Sequence, residues 1–144
     1  NLLSLGKIET ANNLLGRAYC LIGTVIHSYS NGRKIGFPTA NLKLLYPHQL
    51  IPKNGIYLSR IRYQEKVYFG LTNIGISPTL KNSGIIEIET HILDFSGDLY
   101  GETLEIELLR YFREEKMFKK VDELKDAIQK DIAMARTIIS ELDK

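Results

Sequence analysis

The spacing of apolar residues changes along the chain. From Leu2 to Leu15 the positions Leu2, Leu3, Leu5, Ile8, Ala11, Leu14 and Leu15 recur at helical intervals. That spacing predicts a helix over residues 2–16, interrupted at Gly6. Thr10 would cap its second half and Gly16 would end it. From Tyr19 onward short β-prone runs alternate with turn residues. The runs are Tyr19–His27, Thr39–Leu42, Gly55–Tyr63, Lys66–Ile74, Ile85–Leu93 and Thr103–Leu109. Tyr63-Gln64-Glu65-Lys66 reads as a hairpin turn. Six such runs predict a closed antiparallel barrel or a small sandwich, and closure would remove exposed strand edges. Near the C-terminus the helical period returns. Leu124, Ala127, Ile128, Ile132, Ala135, Ile138 and Ile139 form one stripe, with Asp122 as a cap and an end near Ser140.

Composition narrows the classes. The 144 residues suit one compact domain. Lys and Arg number 19 against 17 Asp and Glu, a balance that argues against a nucleic-acid partner or a charged membrane surface. No apolar run approaches the roughly 18 residues of a membrane span, and no signal peptide is visible. The single cysteine, Cys20, excludes an internal disulfide and suggests a reducing, cytoplasmic setting. It reads as a small buried hydrophobe. The chain opens on Asn1, not Met, as a fragment of a longer protein would.

Several segments carry candidate chemistry. Gly36-Phe37-Pro38-Thr39-Ala40-Asn41 follows a basic, Gly-containing loop, Ser30 to Ile35. In an extended strand Thr39 and Asn41 share one face. Two neutral oxygens there would suit a small hard cation that takes its other ligands from water and phosphates, as Mg²⁺ does. The structural alternative is a Gly-Pro turn entering a strand. Gly23, in a strand, marks either a bend or a close approach of ligand to backbone. Glu87, Glu89 and His91 alternate with Ile86, Ile88, Thr90 and Ile92. They form either the outer face of an ordinary strand or the setting of a general base. Asn73 to Gly84 reads as a long polar loop in which Lys81 could meet phosphate. Asp94 to Gly101 reads as a structural turn anchored by Leu99 and Tyr100. Leu109 to Phe118 interleaves aromatics with arginines, either as a linker or as a platform for a planar ring. The histidines lack metal-ligand spacing, so zinc is not expected. P-loop and dinucleotide-binding signatures are absent.

In this order the segments resemble the riboflavin kinases, from Leu15 to about Ile139. The matching stretches include Leu15 to Tyr19, Gly23-Thr24-Val25, Gly36 to Leu42 and Asn54 to Tyr57. They continue with Asn73-Ile74-Gly75, Pro78-Thr79, Glu89-Thr90-His91, Asp98 to Gly101 and Arg113 to Phe118. The resemblance implies a mainly β fold: a six-stranded antiparallel Greek-key barrel with a C-terminal helix. It implies transfer of the ATP γ-phosphoryl group to riboflavin, giving FMN, with Mg²⁺ assisting. It assigns Thr39 and Asn41 to metal and phosphates, within the loop of Gly36, Phe37 and Pro38. Glu89, not Glu87, becomes the base. Gly23, Lys81, Ser83 and His91 fall at the nucleotide site. Arg113 and Met117 fall in a loop that closes over the flavin. Lys119 and Lys120 depart from the family, which usually has Asp and Ser there, and Ala18 replaces a frequent Pro.

Residues 3–17 are also similar to the junction between the modules of bacterial bifunctional FAD synthetases. That implies a linker helix over 1–16, from a missing FMN adenylyltransferase module, and a kinase domain over 17–144. Riboflavin, FMN, ATP and ADP are then the partners, with no nucleic acid and no membrane. The competing expectations are a non-catalytic flavin- or nucleotide-binding barrel and an oligonucleotide-binding barrel.

Overall fold

The structure, a computed structural model, describes residues 2, 4–26, 39–46, 48–76, 86–115 and 118–142. Six strands close a barrel: β1 (Tyr19–Ile26), β2 (Ala40–Leu44), β3 (Gly55–Tyr63), β4 (Lys66–Ile76), β5 (Ile86–Ile92) and β6 (Thr103–Arg113). Their order around the barrel is β1-β2-β5-β4-β3-β6, every pairing antiparallel. The jump from β2 to β3 skips two strands, which is the Greek-key move. The barrel is therefore the expected one, and the sandwich is not formed.

Alternation sorts the side chains. Leu21, Val25, Leu42, Tyr57, Ile61, Ile74, Ile88, Leu104, Ile106 and Leu108 fill the interior. Among them runs a polar ladder: Ser59 and Thr72 lie 2.8 Å apart, and Thr72 and Thr90 2.9 Å apart, oxygen to oxygen. Ser59 also donates to the Gly70 carbonyl at 3.2 Å. These hydroxyls satisfy one another, so burial costs little.

Outside the barrel, helix α2 (Val121–Leu142) lays Ala135, Ile132, Ile138 and Ile139 over Leu58, Leu71 and Leu93. Asp122 lies inside its first turn, not at the cap. The β3–β4 turn is carried by Gln64 and Glu65, both at positive φ (50° and 64°), the conformation of a tight hairpin.

The N-terminal helix is shorter than its periodicity. Helix α1 spans Ile8–Leu15, because Gly6 takes φ 77° and ends any continuation from Leu2. Thr10 is mid-helix, while Gly16 closes the helix in the left-handed conformation. Two turns are marginal alone, and tertiary bonds hold them. Asn12 donates to the Leu108 carbonyl and accepts from the Tyr19 N–H, both at 2.8 Å.

Three strands run further than expected. β2 reaches Leu44 instead of Leu42, β4 reaches Ile76 instead of Ile74, so that Asn73 to Ile76 are not loop, and β6 extends to Arg113 instead of ending near Leu109. A register irregularity between Ile56 and Tyr57 leaves Phe112 as an extra residue on β6. As a result Phe112 packs with the α2 cluster and its neighbour Arg113 also reaches α2, pairing with Asp131. Cys20 is half-buried, and burial raises its thiol pKa. Leu99 anchors the turn after β5, but Tyr100 is exposed.

Candidate active site

Among the described residues, the candidates Asn41, Glu89, His91 and Arg113 lie on the outer face of the sheet. On β5 the residues Ile88, Thr90 and Ile92 point inward, so Glu87, Glu89 and His91 point outward. Register then sets their neighbours. Asn41 of β2 and Asn73 of β4 both stand directly across from Glu89. Ile56 follows across from Asn73, and Arg113 across from Ile56. The result is a row Asn41, Glu89, Asn73, Ile56, Arg113. With strands about 4.8 Å apart, Glu89 has an asparagine roughly 5 Å away on each side.

Burial makes this row unusual. Asn41 is only 1% exposed, yet neither atom of its amide has a hydrogen-bond partner. Thr39 Oγ1, two residues earlier, is likewise buried and unpartnered. An unmet buried polar group costs about 1–3 kcal/mol, so residues of this kind call for a ligand. A hydroxyl and an amide carbonyl are hard, neutral oxygen donors of the type that Mg²⁺ accepts. The residues therefore fit such an ion. Among the described residues no group of three or more His, Cys, Asp or Glu side chains could hold a metal.

Thr39 and His91 also line a cleft of about 330 Å³ between the ends of β1, β2 and β5 and the turn at Ser96 to Tyr100. Beside it, a groove of about 370 Å³ runs between that turn and α2. The turn is tied to α2 by Arg136, which donates to both carboxylate oxygens of Asp94 at 3.0 Å. At the other end of the row, Arg113 is held by Asp131 at 2.6–3.1 Å. Gly23 faces the interior. A side chain there would meet the Lys43 carbonyl oxygen at 2.5 Å and Leu42 Cγ at 2.6 Å, so packing of β1 on β2 already requires glycine. Gly36, Phe37, Pro38, Lys81, Ser83 and Met117 lie outside the described residues.

Three further side chains belong to this surface. Asn73 shares the row. Glu87 has both carboxylate oxygens buried and unpartnered. Glu115, just past β6, brings its carboxylate over Gly75, the register partner of Glu87. Burial pushes the Glu115 carboxyl up from its usual pKa, while a hydrogen bond from Asn73 and the charge of Arg113 pull it down. In the sequence Asn73 falls both at the end of the Lys66–Ile74 run and at the start of a polar loop, and its matching stretch Asn73-Ile74-Gly75 carries no assigned role. Glu115 lies in the matching stretch Arg113 to Phe118, but its contact with Gly75, 40 positions away, has no local signal.

Comparison with known proteins adds the following. The family model "Flavokinase: Riboflavin kinase" matches residues 15–139. A "Bifunctional riboflavin kinase/FMN adenylyltransferase" of Listeria monocytogenes is 40% identical over 138 residues, which cover 96% of this chain and 44% of that protein. The Bacillus subtilis protein of the same description is 38% identical over 141 residues, with the same coverage. The chain thus spans less than half the length of these relatives. Among solved structures, a Streptococcus pneumoniae chain described as a macrolide-efflux protein superimposes with a TM-score of 0.86 at 33% identity, over 94% of this chain and 44% of that one. A riboflavin kinase from Trypanosoma brucei has the same fold, with a TM-score of 0.57 at 23% identity over 84% of this chain and 79% of its own.

Proposed function

The chain belongs to the riboflavin kinase family, and from that membership we propose that it moves the γ-phosphoryl group of ATP onto the 5′-hydroxyl of riboflavin, giving FMN and ADP. The observation that carries this is the buried, unpartnered Thr39 hydroxyl and Asn41 amide, with Asn41 in register beside Glu89.

Phosphoryl transfer needs alignment and charge neutralisation more than covalent help from the protein. Thr39 and Asn41 would hold Mg²⁺, and when bound that ion neutralises phosphate charge. Being neutral themselves, they add no negative charge to compete with the phosphates. Glu89 orients the primary alcohol and accepts its proton. The alcohol oxygen forms a bond to the γ-phosphorus as the bond to the ADP oxygen breaks, and ADP leaves with that electron pair. His91 and Thr39, on the wall of the cleft, fit the nucleotide side. Arg113, at the other end of the row, fits the flavin side. Gly23, Gly36, Phe37, Pro38, Lys81, Ser83 and Met117 stay with the roles that the resemblance gives them. Residues 1–16, with α1, would be a linker and residues 17–144 the kinase domain. An FMN adenylyltransferase module like that of the relatives would complete the protein, working in the cytoplasm.

The test is Glu89→Gln, assayed for FMN formation and separately for riboflavin binding. A drop of about 10²–10⁴-fold in kcat with binding retained is expected. Turnover at the unmodified rate would refute the base assignment.

A further inference from the structure

Asn73 is the row's other asparagine, and its amide is held in one orientation. The Glu115 carboxylate, when ionised, offers only acceptors, so the hydrogen bond between the two residues is donated by the Asn73 NH₂ group. The carbonyl end is then turned away from Glu115, and Asn73 Oδ1 is indeed buried without a partner. Asn73 is the register partner of Glu89 in the row. Gly75 makes the hydrogen bond to Glu115 possible. A Cβ on residue 75 would collide with both Glu115 carboxylate oxygens, so Glu115 reaches Asn73 only across a bare backbone.

The chemistry of this pair limits what it can bind. Asn73 Oδ1 is an acceptor, and so is the ionised Glu89 carboxylate. A single hydroxyl has one proton and cannot serve both. Two hydroxyls on adjacent carbons can: the reacting one faces Glu89 and its neighbour donates to Asn73 Oδ1. Taking Glu89 as the base proposed above, we propose that Asn73, oriented by Glu115 across Gly75, recognises the hydroxyl on the carbon next to the phosphorylated one. The site then selects terminal 1,2-diols over isolated primary alcohols. In riboflavin this second hydroxyl is the 4′-hydroxyl of the ribityl chain. Asn73 is thus a specificity residue and Glu115 a positioning residue that acts through it.

The test compares riboflavin with 4′-deoxyriboflavin, as kcat/KM and as dissociation constants from flavin fluorescence. The unmodified chain should prefer riboflavin by about 10- to 100-fold, because the deoxy compound leaves Asn73 Oδ1 buried and unmet. In Asn73→Leu the preference should fall to near unity. Glu115→Ala and Gly75→Ala should lower it as well, since each frees the amide to turn. Glu115→Gln should restore it, because its carbonyl still accepts from the Asn73 NH₂ group. A preference kept in full by Asn73→Leu, or by Glu115→Ala and Gly75→Ala together, would overturn the proposal. Should Asn73→Leu fail to fold, the Glu115 series decides. Glu89→Gln is run alongside. Full turnover there refutes the base, while the ratio of dissociation constants still reports on Asn73.

Discussion

At the residue scale, Asn41 shows a site that opposes stability. A buried amide with no partner costs the empty protein about 1–3 kcal/mol. Asn41→Leu, which keeps the branch at Cγ but is apolar, should therefore leave the thermal midpoint unchanged or higher. Phosphoryl transfer and Mg²⁺-dependent stabilisation by ADP should be lost. A large drop in the midpoint would instead mark Asn41 as structural. The pairing of Thr39 with Asn41 was legible in the sequence because i and i+2 share a face in any strand. The outward direction of Glu89 was legible for the same reason, from the isoleucines between the acids. What could not be read was the lateral row. Asn73 and Asn41 meet Glu89 through strand register, which depends on closure of the whole barrel and not on local pattern.

At the element scale, glycines separate packing from function. Gly23 and Gly75 both lie in strands, but their obstacles differ. At Gly23 the obstacle is backbone, the Lys43 carbonyl, so Gly23→Ala must part β1 from β2, at a cost of roughly 1–3 kcal/mol. At Gly75 the obstacle is the end of a flexible side chain, Glu115, which can swing aside. Gly75→Ala should therefore unfold nearly as the unmodified protein does, while Glu115 loses Asn73. Denaturant titration of the two variants checks this, and equal destabilisation would contradict it. Element boundaries are the features least legible in the sequence. The apolar spacing over residues 2–16 continues through Gly6, but the backbone there is left-handed and the helix starts at Ile8. The segment expected to be loop from Asn73 is strand as far as Ile76, with Asn73 and Gly75 following β4 outward while Ile74 packs inside.

At the scale of the whole molecule, charge pairs tie the outer surface together. Glu107 on β6 accepts from Arg60 and Arg62 on β3 at 2.8–3.1 Å. The hydrogen bond from Arg60 leads in holding its pKa below the ordinary carboxylate value of 4.5. An acid with a lowered folded pKa contributes stability above its unfolded pKa and loses it as the pH falls through the folded one. Glu107→Gln should thus cost about 1.5 kcal/mol near neutral pH. Its difference from the unmodified protein should shrink as the pH falls below about 4.5. A difference independent of pH would mean that Glu107 acts through packing alone.

The barrel and the C-terminal helix were predictable from periodicity and resemblance together, since alternation and turn residues restrict six short strands to few arrangements. The seating of α2 was not. It depends on the extra residue at Phe112, which sends Phe112 and Arg113 to the same side. That seating sets one end of the row, and the cleft at Thr39 and His91 sets the other.

The most direct measurement is incubation of this chain with riboflavin, ATP and Mg²⁺, with the flavins then separated by chromatography. FMN and ADP are expected in equal amounts, with no FAD. Riboflavin recovered unchanged from a folded chain that binds it would refute the kinase assignment and leave a flavin-binding barrel without catalysis.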